Sequence, residues 1–164
     1  MNGELYQDDG DRQKLAEQAG WSFKGKSDCE IVIALYQIYG VSFLRHLRGE
    51  FALCLYDSRA KLFVCARDRY GIKPLVFSKV DGSLIIGAEI KALGPLGLNP
   101  EWDVQSIADR GYAHDTRTIF KGVHKVSRFI QNDYFELLIP PRSGQAATSL
   151  ATRLAMLITR GTGT

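Results

Sequence analysis

Cysteine is scarce in this 164-residue chain: three copies, an odd number, with no CxxC spacing. That excludes a disulfide scaffold or a zinc ribbon and reads as the reduced thiols of a cytoplasmic protein. No stretch approaches about 18 uninterrupted apolar residues, so no transmembrane helix is expected. The head, Met1 to Leu5, has neither a basic start nor an apolar core, so no secretory leader is expected. Surplus charge is also missing where a nucleic-acid surface would need it. The formal net charge is +3, from 21 basic and 18 acidic residues, and no acidic residue follows Glu136. Setting aside Arg142, Arg153 and Arg160 leaves 18 basic against 18 acidic residues over 1–136, a neutral body. Clustered positive charge to meet phosphates is absent, which argues against nucleic acid as a partner. With 45% hydrophobic and 24% charged residues, intrinsic disorder is excluded too, and a core can form without metals.

Ser27-Asp28-Cys29-Glu30 has the form of a capping box, and Ile31, Val32, Ala34, Leu35, Ile38 and Tyr39 follow at helical spacing up to Gly40. This predicts a helix over 28–39, and a second, with a thinner apolar face, is expected over 12–19. From Glu50 the pattern changes. The nearly continuous apolar runs 51–56 and 61–66 flank Asp57-Ser58-Arg59-Ala60, whose turn chemistry predicts an antiparallel hairpin. A second hairpin is expected from 75–78 and 83–86 around Asp81-Gly82. Apolar runs without alternation imply strands covered on both faces, hence sheet against sheet inside and helices outside. Short helices are expected at 89–93 and, capped by Asp103, at 103–110. Strands near 118–120 and 134–139 complete the body. After Pro140-Pro141 the chain turns rich in Ala, Ser, Thr and Gly. Leu150, Leu154, Leu157 and Ile158 give a helical stripe there, read as a loose tail or marginal helix over 140–164 rather than a docking or membrane-surface helix.

Three strings stand out: Asn2-Gly3-Glu4-Leu5-Tyr6, Ser27-Asp28-Cys29-Glu30, and Ala66-Arg67-Asp68-Arg69-Tyr70-Gly71-Ile72-Lys73-Pro74-Leu75. Leu47-Arg48-Gly49-Glu50-Phe51-Ala52, Tyr56-Asp57 and Ala88-Glu89-Ile90-Lys91-Ala92-Leu93 accompany them in order. Together they resemble the glutaminase domain of glutamine-dependent asparagine synthetase, a class II glutamine amidotransferase of the N-terminal-nucleophile hydrolase superfamily. The resemblance covers about residues 2–139, and the expected organisation is a partial domain over 1–139 followed by the 140–164 tail. It implies an α+β fold, a four-layer αββα sandwich incomplete at its N-terminus, and it implies hydrolysis of the side-chain amide of L-glutamine to ammonia. In the family an N-terminal cysteine attacks the amide carbon, with its own α-amino group as proton acceptor.

Carried over residue by residue, the resemblance implies that Asn2 and Gly3 form the oxyanion hole, through a side-chain amide and a backbone N–H. Asp28 would hold the α-ammonium of glutamine, and Glu4 would line the same pocket. Without the resemblance, Asn2-Gly3 reads as a turn or frayed terminus and Asp28 as a first-turn carboxylate favoured by the helix dipole. The chain departs from the family at position 1, where Met carries a thioether that cannot be deprotonated. The strands expected to bear the nucleophile and a carboxylate-binding arginine have no counterpart in it. Nor has the glycine-rich phosphate loop of the synthetase half, which in the family uses ATP and Mg, so no cofactor is expected in this chain. Cys54 and Cys65, within apolar runs, read as buried thiols of raised pKa; Cys29, in a first helical turn, is the one candidate substitute nucleophile. His46, His114 and His124 have no ligand spacing, and no metal site is expected. Arg67, Asp68, Arg69 and Lys73 read as a rigid turn held by an Arg–Asp pair rather than a phosphate site.

The expectation is therefore an asparagine-synthetase-like amidotransferase domain, inactive alone for want of a nucleophile, with a synthetase domain on a separate chain as a candidate partner. The alternatives are a non-catalytic remnant that binds glutamine or a partner, and a purely structural domain or gene-model fragment.

Overall fold

A computed structural model describes residues 1–6 and 9–126. Its elements are β1 (Asn2–Leu5), α1 (Asp9–Ala19), α2 (Asp28–Tyr39), β2 (Gly49–Asp57), β3 (Leu62–Arg67), β4 (Val76–Val80), β5 (Ser83–Gly87), α3 (Val104–Ala108), α4 (Gly111–His114) and β6 (Val123–Lys125). Short 3₁₀ helices occupy Gly40–His46 and Ile90–Leu96. The strands form two antiparallel sheets, in the orders β1-β2-β3 and β5-β4-β6. The fold is α+β.

Period-two alternation sorts the strand residues into two apolar faces. On β2 and β3, Phe51, Leu53, Leu62, Val64 and Ala66 face one way, packing with Leu15 of α1, Ile31, Val32 and Leu35 of α2, and Phe43 and Leu44. Ala52, Phe63 and Cys65 face the other way and meet Leu75, Ile86 and Val126 from the region of the second sheet. On that sheet's far side, Val76, Ile85 and Val123 pack with Leu93 of the second 3₁₀ helix. All six residues of β3 are buried, which explains why its sequence does not alternate.

The helix over 28–39 forms as expected, with Ser27 extended and its Oγ accepting from Cys29 N at 3.3 Å. The capping box is only half made, however. Glu30 turns its carboxylate to the Lys24 N–H at 2.8 Å instead of reaching back to Ser27. The first hairpin turns where the sequence indicated, because Asp57 Oδ1 accepts from Arg59 N and Ala60 N at 2.8 and 3.0 Å. The second turns on Asp81 and Gly82, both at positive φ (48° and 72°), as a type I′ turn requires. Asp103 caps α3 through Ser106 N at 2.9 Å.

Two differences from the sequence reading have local causes. Asn2-Gly3 is neither turn nor frayed end but part of β1, held by pairing with β2. The segment 118–120 makes only an isolated bridge, Trp102 with Phe120, and the strand follows it at Val123–Lys125. There Thr118 turns the chain, its Oγ1 donating to Val123 O at 2.9 Å and accepting from Phe120 N at 3.1 Å. The strand expected at 134–139 and the tail over 140–164 lie outside the described residues.

Candidate functional site

β1 carries Asn2, Gly3 and Glu4, and among the described residues it is an edge strand. Its seat on β2 depends on two glycines. Gly3, at φ 125°, would place a Cβ 1.9 Å from Glu50 O, and Gly49, at φ 150°, would place one 2.2 Å from Glu4 O. Each glycine therefore lies against the carbonyl of the residue preceding its partner, a backbone approach that no side chain permits.

The hydrogen bonds of β1 show which way its N–H groups point. Tyr6 N–H donates across the sheet to Arg48 O at 2.8 Å. Leu5 N–H points the other way, off the edge, and donates to Asp28 Oδ2 at 2.8 Å. Because successive N–H groups of a strand alternate, the N–H of Gly3 lies on the same outer side as that of Leu5. Asp28, half-buried in the first turn of α2, thus ties the helix to the strand. Its Oδ1 takes no hydrogen bond among the described residues. The side chains of Asn2 and Glu4 are exposed. The structure therefore joins Asp28 to the strand bearing Asn2, Gly3 and Glu4, although 23 residues separate it from Leu5 in sequence.

Sequence reasoning passed over a second group beside this strand. Glu50 lies directly opposite Glu4, 3.9 Å from Lys73 Nζ, and holds the Tyr6 hydroxyl above its ordinary pKa by accepting its hydrogen bond. The signal was there in Arg48-Gly49-Glu50, which was read only as part of a motif.

The turn after β3 was expected to be held by an Arg–Asp pair, whereas Asp68 and Arg67 hydrogen-bond to backbone among the described residues. Asp68, buried, accepts at Oδ1 from Tyr70 N and Ile72 N and at Oδ2 from Phe51 N and Lys73 N. Arg67, also buried, donates to the carbonyls of Lys73, Val126 and Gly71. The turn thus presents N–H groups to Asp68 and carbonyls to Arg67.

Of the cysteines, Cys29 is exposed, Cys65 buried and Cys54 half-buried. Cys65 is raised, as the sequence suggested, by its bond to Cys54 and by burial. Cys54 departs from that reading: the hydrogen bond it shares with Cys65 lowers its pKa. His46 stacks on Tyr39 with ring centroids 3.8 Å apart, and His124 lies against Phe77. Among the described residues no three His, Cys, Asp or Glu residues come together as metal ligands. No helix there is long and apolar enough to cross a membrane.

Comparison with known proteins gives this geometry a context. The amidase chyE of Penicillium rubens is 44% identical over 160 residues, covering 91% of this chain and 24% of its own length. Coverage of that extent enters the segment after Pro141. The amidase chry2 of Gibberella zeae is 48% identical over 126 residues, or 77% of this chain and 18% of its own. Asparagine synthetase B of Escherichia coli is 39% identical over 97 residues, or 58% and 17%. The chain thus spans about a quarter or less of the relatives it matches. Residues 1–132 match the pattern of the glutamine amidotransferase domain, and the chain belongs to that family.

Proposed function

We propose that the outer edge of β1 is the floor of a glutamine site, in which Gly3 and Asn2 receive the oxyanion and Asp28 the α-ammonium. The observation that carries this reading is the shared direction of the Gly3 and Leu5 N–H groups, with the Asp28 carboxylate on the second. Two residues of strand separate those groups by about 7 Å. An extended glutamine holds its α-nitrogen about 5 Å from its amide carbon, a comparable span. Oδ1 of Asp28, which accepts no hydrogen bond among the described residues, suits a charge-assisted bond, and the exposed amide of Asn2 suits a developing oxyanion. Glu4, one residue on, lines the approach.

The reaction is hydrolysis of a side-chain amide, with the family's αββα sandwich as scaffold; two sheets packed face to face with helices outside one of them support that scaffold. The reaction needs a thiol at the head of β1, immediately before Asn2, where Met1 stands in residues 1–164. The ammonia would serve asparagine synthesis through a synthetase partner. A second reading, amide hydrolysis without a synthetase, is favoured by the two relatives named amidases, which match more of the chain than the asparagine synthetase does. Assaying ammonia release from glutamine, asparagine and simple acyl amides, with the chain extended to supply a cysteine before Asn2, separates the two.

The site itself is tested by calorimetric titration of the 164-residue chain with L-glutamine. Asp28→Asn keeps an acceptor for Leu5 N–H but removes the charge, and weakens binding about 10- to 100-fold. Equal affinity in the variant refutes the ammonium role. Ammonia release by the unextended chain refutes the nucleophile argument.

A further inference from the structure

We propose that Cys54 and Cys65 are an oxidisable dithiol that closes to a cross-strand disulfide between β2 and β3. The two residues are directly opposite each other in the β2–β3 register, with their sulfurs 3.1 Å apart. Directly opposed residues of antiparallel strands have Cα atoms about 4.5–5.5 Å apart. A disulfide needs about 4.4–6.8 Å, so closure requires no backbone movement. Both side chains belong to the apolar layer between the sheets, with Phe63, Leu75 and Ile86 around them. That layer protects a bond once made.

The pair is asymmetric in a way that assigns roles. Cys54 is half-buried and within reach of a small oxidant, whereas Cys65 is buried. The two sulfurs share a hydrogen bond in which either can donate, and with Cys65 donating the Cys54 thiolate is favoured. With hydrogen peroxide as oxidant, the Cys54 thiolate attacks one peroxide oxygen and the O–O bond breaks. The departing hydroxide takes up a proton to become water, leaving Cys54 as a sulfenic acid. The Cys65 sulfur then attacks Cys54, the S–O bond breaks, and hydroxide leaves with the Cys65 proton as a second water. Two thiols and one peroxide thus become one disulfide and two waters. The new link spans the Asp57 turn and fixes the register of β2, the strand that seats β1.

Trypsin makes the test direct, because Arg59 and Lys61 lie between the two cysteines. After peroxide treatment of the folded chain and alkylation of the remaining thiols, peptides 49–59 and 62–67 should run as one linked species. Reductant should separate them. Exposed Cys29 reports the oxidant dose. The linked species should form at least roughly tenfold faster in the folded chain than in urea, since folding holds the sulfurs together. Cys65→Ser should leave Cys54 as a sulfenic acid that dimedone captures. The proposal is overturned if both cysteines remain alkylatable at a dose that oxidises Cys29, or if unfolding leaves the linking rate unchanged. If the variant gives no dimedone adduct while the native chain links, the assigned order of the two sulfurs is wrong.

Discussion

Gly3→Ala should detach β1 from its sheet, and the size of the effect follows from where the new methyl would fall. A Cβ at Gly3 lies 1.9 Å from Glu50 O, 2.8 Å from Phe51 Cα and 2.9 Å from Glu50 C, all of them backbone. No rotamer change can relieve the contact, so β1 must retreat by more than 1 Å, roughly the shortfall from an ordinary van der Waals approach. That retreat breaks ladder bonds worth about 1 kcal/mol each. The φ of 125° adds about 1–3 kcal/mol of strain for any residue with a Cβ. The total is about 4 kcal/mol. Gly20→Ala is the control, at φ 58° with nothing within 4 Å of its Cβ, and should cost about 1 kcal/mol. In urea, with a slope of about 2 kcal/mol per molar, the midpoint should fall by about 2 M for Gly3→Ala and about 0.5 M for Gly20→Ala. Gly49→Ala should match Gly3→Ala, because its Cβ would meet Glu4 O at 2.2 Å. The double variant should cost little more than either single, since a strand detaches only once. Equal midpoint shifts for Gly3→Ala and Gly20→Ala would refute the reasoning. So would full additivity of the glycine pair.

Asp68→Ala leaves four backbone N–H groups without their acceptor and should destabilise the chain by about 3–5 kcal/mol in urea unfolding. Asp68→Asn should be nearly as damaging, because two donors approach each oxygen and the amide turns an NH₂ toward one pair; a mild effect would contradict the bonding described. Arg117 holds Asp109 and Asp115 below the usual carboxylate range, so their contribution is complete above the unfolded pKa and is lost as pH falls through the depressed values. Exchange of the Gly111 amide, which donates to Asp109 Oδ1, should accelerate below about pH 4, and protection unchanged to about pH 2 would count against that clamp.

Much of the fold was legible because local chemistry and tertiary packing agree. Ser27 and Gly40 bound α2 in sequence as in space, and Asp57 and Asp81-Gly82 mark their hairpins by side-chain and backbone preferences that need no partner. What escaped depends on a partner. β1 is four residues long, with one buried side chain, and has no periodicity to read; pairing with β2 makes it a strand. The shift from 118–120 to Val123–Lys125 arises because Thr118 prefers to bond its own neighbours, which breaks pairing just where the apolar residues suggested it. Glu30 shows the same competition at smaller scale, since a capping box in sequence says nothing of the Lys24 N–H that arrives from the loop.

The candidate site was legible only as a set of residue types, and the structure adds why they belong together. Asp28 has the signature of a residue that favours a helix N-terminus, and that is one of its roles. Its Oδ2, however, reaches Leu5 N–H, so the same carboxylate positions the strand whose neighbouring N–H is the proposed oxyanion donor. A structural explanation and a functional one are therefore not rivals at this residue; the first is what gives the second its geometry. It follows that Asp28→Ala is a poor probe, since it removes the strand anchor and the ammonium partner at once. Asp28→Asn is the informative change, because an amide oxygen can still accept from Leu5 while the charge is gone. If β1 pairing survives in that variant and glutamine binding does not, the two roles have been separated in one carboxylate.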